Sequence, residues 1–243
     1  SHKVKSVSLC VENLKEKGFK LEQVPWDPLS YFVNFNEEES RSDLGNLYEH
    51  FLGQIYIQEA TSLLPPLLCH IPERISSDFK VLDMCAAPGS KTTQIAALMK
   101  NKGILVANEL DYTRLAPLKL NLERSGFTNI IITNQDGIRI QGEEEFDRII
   151  LDAPCSGSGV IRKSPHTLKK YNPSHLSQIV SIQKKLFQRA FELLKVDGIM
   201  TYSTCSMDPE ENESVIKWFL QKYESKVSLL PIELKGISQK KTI

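Results

Sequence analysis

From Lys80 onward, short aliphatic and β-branched runs alternate with longer stretches whose apolar positions return near the helical period. The short runs are KVLDM (80–84), GILVANE (103–109), NIIIT (129–133), FDRIILD (146–152) and GIMTYST (198–204). They are apolar almost throughout, the pattern of strands covered on both faces. Between them lie four helical stretches: SKTTQIAALMK (90–100), DYTRLAPLKLNLERSG (111–126), PSHLSQIVSIQKKLFQRAFELLK (173–195) and PEENESVIKWFLQKY (209–223). Pro117, inside the second, is expected to kink it. Strand and helix in alternation predict an α/β fold: a doubly wound, Rossmann-like parallel sheet with helices on both faces.

The leading part follows another pattern. VENLKEKGFKLEQVPW (11–26) reads as a helix and a strand, the polar run NEEESRSD (36–43) as a break, and the stretch ending IQEATSLLPPLL (57–68) as helical. Residues 1–65 are therefore expected to form a small N-terminal α+β subdomain, and residues 66–243 the main domain. Internal repeats and long low-complexity tracts are absent from the sequence.

Composition adds limits. A chain of 243 residues, 41% hydrophobic and 25% charged, can bury a sizeable core. Lys+Arg and Asp+Glu balance at 30 each, so a polyanionic partner would have to be held by a local basic patch. The five cysteines (Cys10, Cys69, Cys85, Cys155, Cys205) form no CxxC pair and no zinc-ligand spacing, and their odd number suits a disulfide framework poorly. Reduced thiols, no metal and a cytoplasmic location are expected, or a nuclear one in a eukaryote. With no signal peptide and no bilayer-length apolar run in this sequence, a membrane association is not expected.

VLDMCAAPGSKT (81–92) passes from a strand through small residues and a glycine into a helix, which lets backbone N–H groups approach a ligand closely. It is neither a GxxxxGK[ST] phosphate loop nor a GxGxxG dinucleotide fingerprint. Glu109 closes the second strand, where a carboxylate can accept both ribose hydroxyls, and Asp136 follows the third, where one can accept an adenine amino group. Either acid alone reads as solvated. Loop and both acids together fit S-adenosyl-L-methionine, and hence a class I methyltransferase sheet.

Two further stretches, LDAPCSGSG (151–159) and MTYSTCSMDPEEN (200–212), each place a cysteine just past a strand. In an open parallel sheet Asp152, Cys155 and Cys205 emerge together at the carboxyl edge, beside the cofactor. Cys10 and Cys69 read as inert buried side chains, and Cys85 as packing or lining the cofactor loop.

DMCAAPGSKT, DAPCSGSG and YSTCS followed by PEENE resemble the successive motifs of the Sun-type RNA cytosine-5 methyltransferases, and GQIYIQEATSLLPP resembles the segment before their catalytic core. The likeness runs from about residue 10 to 220. The serine of APGSK and the leading segment look more like archaeal and eukaryotic members, many of which act on tRNA. Cytosine C5 is a poor nucleophile, so a thiolate must add to C6 before C5 can take a methyl. DNA enzymes use the Pro-Cys thiol for this, which would nominate Cys155. The RNA family uses the cysteine of the later motif, so the resemblance implies that Cys205 attacks C6, Cys155 assists product release and Asp152 contacts the base. It also implies that Cys85, Ala86, Ala87, Pro88, Gly89, Ser90 and Lys91, with Glu109, Arg114, Asp136 and Asp152, surround S-adenosyl-L-methionine.

For RNA, the candidates are Arg162, Lys163, Lys169 and Lys170, with His166 and Tyr171 beside them, just after the Pro-Cys loop. Trp26, Tyr31 and Phe32 read as core of the leading subdomain rather than as a stacking platform. The expected substrate is tRNA, with rRNA second, and the expected state a monomer. Family members continue past the last helix into further strands, so the end at LLPIELKGISQKKTI is expected to be a truncation. Two other readings compete. A silent RNA-binding or assembly factor is disfavoured by the joint presence of Asp152, Cys155 and Cys205, and a protein or small-molecule methyltransferase would leave both thiols idle.

Overall fold

The computed structural model describes residues 7–34, 42–161, 165, 172–232, 234 and 236. In chain order its elements are α1 (Val7–Glu16), β1 (Lys20–Gln23), β2 (Tyr31–Asn34), α2 (Ser42–Gly45), α3 (Tyr48–Phe51), α4 (Leu64–Leu68), β3 (Lys80–Asp83), α5 (Ser90–Leu98), β4 (Ile104–Asn108), α6 (Leu115–Ser125), β5 (Ile130–Thr133), β6 (Phe146–Asp152), α7 (Leu176–Leu193), β7 (Leu194–Ser203) and α8 (Glu213–Lys222). The strands β3 to β7 form one sheet in the order β5-β4-β3-β6-β7, every pairing parallel. The five runs read from the sequence are these five strands.

Alternate residues of β6 show why those runs are apolar throughout. Ile149 and Leu151 face one cluster, with Leu186, Phe187, Ala190 and Leu193 of α7 and Val215 and Phe219 of α8. Ile150, between them, joins Val81, Ile95, Ala96, Met99 and Leu105 on the opposite face, under α5. A strand covered on both sides has no solvent face to make polar. On the outer flank α6 brings Leu118 and Leu122 against Ala86, Ala87 and Ala107.

The chain leaves β3 for β4 and β5 on one side and returns to β6 and β7 on the other. The crevice where an open α/β sheet holds its ligand therefore lies at the carboxyl ends of β3 and β6.

Two local expectations change. Pro117 does not kink α6: a short 3-10 turn at Tyr112–Arg114 precedes the helix, which starts at Leu115, so the proline sits in the first turn. There its missing N–H removes no intrahelical bond. α7 ends at Leu193 and passes directly into β7 at Leu194, so the strand takes up the last two residues of the expected helical stretch and begins four residues before the GIMTYST run. The β6–β7 pairing slips there, with Asp197 at φ 61°.

In the leading segment β1 and β2 pair antiparallel as a two-stranded sheet of their own. Trp26 packs edge-on against Phe32, their ring centroids 6.0 Å apart. Cys69 is fully buried and its thiol is pushed up to about 12 by burial. Cys10, expected to be buried, is only half-buried on α1.

Candidate active site

Every candidate side chain expected at the carboxyl edge, so far as the described residues reach, lies there. After β3 the loop runs through Met84 to Gly89, with Ala86 N–H donating to Asn108 O (2.8 Å) and Gly89 N–H to Ala86 O (2.7 Å). Gly89 opens α5 at φ 104°, and a Cβ there would stand 3.1 Å from Leu118 of α6, so both the backbone conformation and the close helix call for glycine. Cys85 is half-buried, packs against the α7/α8-side core, and has a thiol raised by burial.

Glu109, at the end of β4, is buried. Its Oε2 accepts from Ala87 N–H (3.2 Å) and its Oε1 from Asp111 N–H (2.9 Å). Arg114 approaches Oε2 at 3.5 Å and donates to Ala87 O (2.5 Å), tying carboxylate, arginine and loop together. Asp136 accepts from Ile138 N–H (3.0 Å) and lies 3.8 Å from Arg139, its carboxyl partly open to solvent. This is a frame of backbone and two carboxylates along three successive strand ends, and it fits a nucleoside ligand of the S-adenosylmethionine type.

Asp83, inside the quoted loop motif but absent from the candidates, lies beneath that frame. It is almost fully buried, accepts from Thr92 Oγ1 (2.7 Å), and its Oδ1 has no partner. Burial raises its carboxyl to about 6. A single acid in the otherwise apolar VLDM run was the signal for it.

Lys91, among the residues expected around the cofactor, is drawn inward from the first turn of α5. Its Nζ meets Asp152 Oδ2 at 2.6 Å, with only 12% of the side chain exposed. A cation in the first turn opposes the helix dipole, so the site rather than the helix explains its place. Asp152 Oδ1 accepts from Ser203 Oγ (2.7 Å), which joins the ends of β6 and β7.

Beyond these ends the two cysteine loops lie against each other. Cys155 Sγ and Cys205 Sγ are 3.0 Å apart, well beyond the ~2.05 Å of a disulfide, and both are free. Gly159 N–H donates to Cys205 O (2.9 Å), and a Cβ on Gly159 would stand 2.7 Å from that oxygen. Asp208 gathers the hydroxyls of Ser156, Ser158 and Ser206 at 2.9–3.1 Å. Thr204 donates to Asn212, whose amide returns to the carbonyls of Ser206 and Asp208.

The pair divides its proton unequally. The hydrogen bond from Cys155, helped by the charge of Lys91, lowers the Cys205 thiol to about 7 against burial and Asp152. The same bond and burial raise Cys155. Cys205 is also the more exposed. Iodoacetamide should accordingly alkylate Cys205 with a midpoint near pH 7, and Cys155→Ala should move that midpoint upward. Mass-spectrometric mapping over pH 5–10 measures it, and an unmoved midpoint would refute the assignment of donor and acceptor.

The basic candidates Arg162, Lys163, Lys169 and Lys170, with His166 and Tyr171, lie outside the described residues. Among the described residues no group of three or more His, Cys, Asp and Glu is arranged to hold a metal, and no helix is long and apolar enough to cross a membrane.

Residues 74–242 match the family described as 16S rRNA methyltransferase RsmB/F. Among curated proteins, the chain is 44% identical over 222 residues to the ribosomal RNA small subunit methyltransferase F of Vibrio atlanticus, covering 88% of this chain and 46% of that protein. With the protein of the same name from Cronobacter sakazakii it shares 40% identity over 231 residues, 94% of this chain and 47% of that one. The chain thus spans about half the length of the curated relatives it matches. A solved methyltransferase homolog from Pyrococcus horikoshii superposes with a TM-score of 0.80 at 37% identity, over 96% of this chain and 70% of that one. By the family match over residues 74–242 and by these likenesses, the chain belongs to the RsmB/F family of RNA methyltransferases.

Proposed function

We propose that the chain methylates C5 of a cytosine in RNA through a covalent adduct on Cys205. The observation that carries this reading is the 3.0 Å contact between two thiols of which the exposed one, Cys205, is the more acidic. A single-displacement methyltransferase has no use for such a pair.

When bound, S-adenosylmethionine supplies an electrophilic methyl on its sulfonium. The loop from Cys85 to Lys91, with Glu109, Arg114 and Asp136, would hold it at the strand ends. The Cys205 thiolate adds to cytosine C6, and the electron pair displaced toward C5 would form the new C5–methyl bond as the methyl–sulfonium bond breaks, its electrons remaining on sulfur as a neutral thioether. The C5 proton then leaves to water, its electrons restore the C5–C6 double bond, and the C6–Sγ bond breaks. Cys155 assists this elimination by donating a hydrogen bond to the departing sulfur. Asp152, positioned by Lys91 and Ser203, contacts the N3/N4 edge of the base.

The sequence likeness alone placed tRNA ahead of rRNA. The relatives at 40–44% identity carry a small-subunit ribosomal RNA name, and this favours rRNA as the substrate, with tRNA second. The target base must be unpaired or extruded for a thiolate to reach C6.

The test uses methyl-labelled S-adenosylmethionine with unmodified small-subunit rRNA and, separately, unmodified tRNA, followed by nuclease digestion and mass spectrometry of nucleosides. Label in 5-methylcytosine from rRNA is the expected result. Label in tRNA alone would reverse the order of substrates. Label in any nucleoside other than 5-methylcytosine, or cofactor binding without transfer, would overturn the reading.

A further inference from the structure

Glu211 is fully buried yet faces no cation within ion-pair distance among the described residues. A lone buried carboxylate is costly unless hydrogen bonds replace its water. Here they do, and every donor belongs to the architecture of the thiol pair. Oε2 accepts from Ser156 N–H (3.0 Å) and from Gln183 Nε2 (2.9 Å), while Oε1 accepts from Ser156 Oγ (2.5 Å). Gln183, itself fully buried on α7, also donates to Pro154 O (3.0 Å). Tyr202 of β7 closes the set by donating to the backbone carbonyl of Glu211 (2.6 Å).

These bonds seize residues 154 and 156, on either side of Cys155, and residue 202, three before Cys205. We infer that Glu211 is the positioning residue that registers the Pro154–Ser156 loop against the Thr204–Ser206 loop and so keeps the two thiols in contact. It touches neither sulfur and acts through Ser156 and Gln183. The role rests on the two-thiol reading of the reaction, in which a donor on Cys155 must stay within reach of Cys205.

The chemistry distinguishes hydrogen bonding from charge. In Glu211→Gln the amide oxygen can keep Ser156 N–H and Gln183, while the amide nitrogen donates to Ser156 Oγ, a hydroxyl able to accept. Glu211→Ala removes the three side-chain bonds and leaves the one from Tyr202 to the backbone carbonyl.

The experiment measures iodoacetamide alkylation of Cys205 against pH in wild type, Glu211→Ala, Glu211→Gln, Ser156→Ala and Gln183→Leu, with circular dichroism and thermal melts on each. It needs neither RNA nor cofactor, so it stands even if the proposed substrate fails. Expected are an upward shift of the alkylation midpoint in Glu211→Ala, near that of Cys155→Ala, a smaller shift in Gln183→Leu, and a wild-type midpoint in Glu211→Gln. Where methylation is measured, Glu211→Ala should lose about a hundredfold in kcat with KM unchanged, the order of loss that an ångström of misplacement causes. If Glu211→Ala fails to fold, Gln183→Leu and Ser156→Ala decide. Folded variants with wild-type midpoints would overturn the inference, and a Glu211→Gln as damaged as Glu211→Ala would replace registration by a charge effect.

Discussion

Cys205→Ala should make neither 5-methylcytosine nor an RNA–protein adduct stable to denaturation, a loss of at least about a thousandfold, because the thiol that remains, Cys155, is the less exposed of the two and burial disfavours its thiolate. Cys155→Ala should behave differently. Cys205 still attacks and the methyl still transfers, but elimination loses its hydrogen-bond donor, so adduct accumulates while free methylated product falls. The structure supports this division through exposure and acidity rather than through proximity alone, since the contact between the sulfurs is symmetric and the proton is not. Denaturing gel electrophoresis with labelled RNA reads the adduct, and nucleoside mass spectrometry reads the product. Adduct accumulating in Cys205→Ala instead would exchange the two roles, and methylation surviving both substitutions would remove cytosine-5 chemistry from consideration.

Asp152→Asn has the second largest expected effect. The asparagine can accept from Lys91 through its carbonyl and donate to the Ser203 hydroxyl through its amide nitrogen, but the ammonium of Lys91 loses its counter-charge. Breaking a fully buried pair costs about 3–5 kcal/mol. With a third of the Asp152 side chain exposed, about 2 kcal/mol is the reasonable figure, which lowers Tm by about 4–8 °C in a chain of this size. Methyl transfer should fall by about a hundredfold or more through lost stabilisation of charge on the base. Lys91→Met should recover part of the thermal loss when combined with Asp152→Asn, because the unpaired ammonium is then gone. Thermal melts of the two single variants and the double variant measure the coupling, and strictly additive shifts would show that the pair is not a unit.

How much of this was legible beforehand depends on where each residue's partners lie. The runs ending in Asp83, Asn108, Thr133, Asp152 and Ser203 announce themselves as strands, because burial on two faces demands apolar residues at consecutive positions. Glu109, Asp136, Cys155 and Cys205 could be placed at one sheet edge from the order of elements alone. Pro117 was misjudged by a question of boundary, since three residues decide whether a proline lies in a first turn or in mid-helix. Gln183 left a trace in the sequence, a polar residue on the stripe that carries Val180, Phe187 and Ala190, but a trace without a partner has no meaning until the fold supplies one.

By itself, then, the sequence determined the doubly wound sheet, the cofactor loop and the two thiols as candidates, because periodicity and motif spacing are local properties of the chain. The tertiary structure decided which groups act on one another. Lys91 and Asp152 are 61 positions apart, Cys155 and Cys205 are 50, and Ser156 and Glu211 are 55, yet each pair meets within hydrogen-bond distance. Ion pairing, proton sharing and thiol acidity depend on distances of a few ångströms and on exclusion of water. Both arise only when β6 and β7 are laid side by side and α7 and α8 close over them.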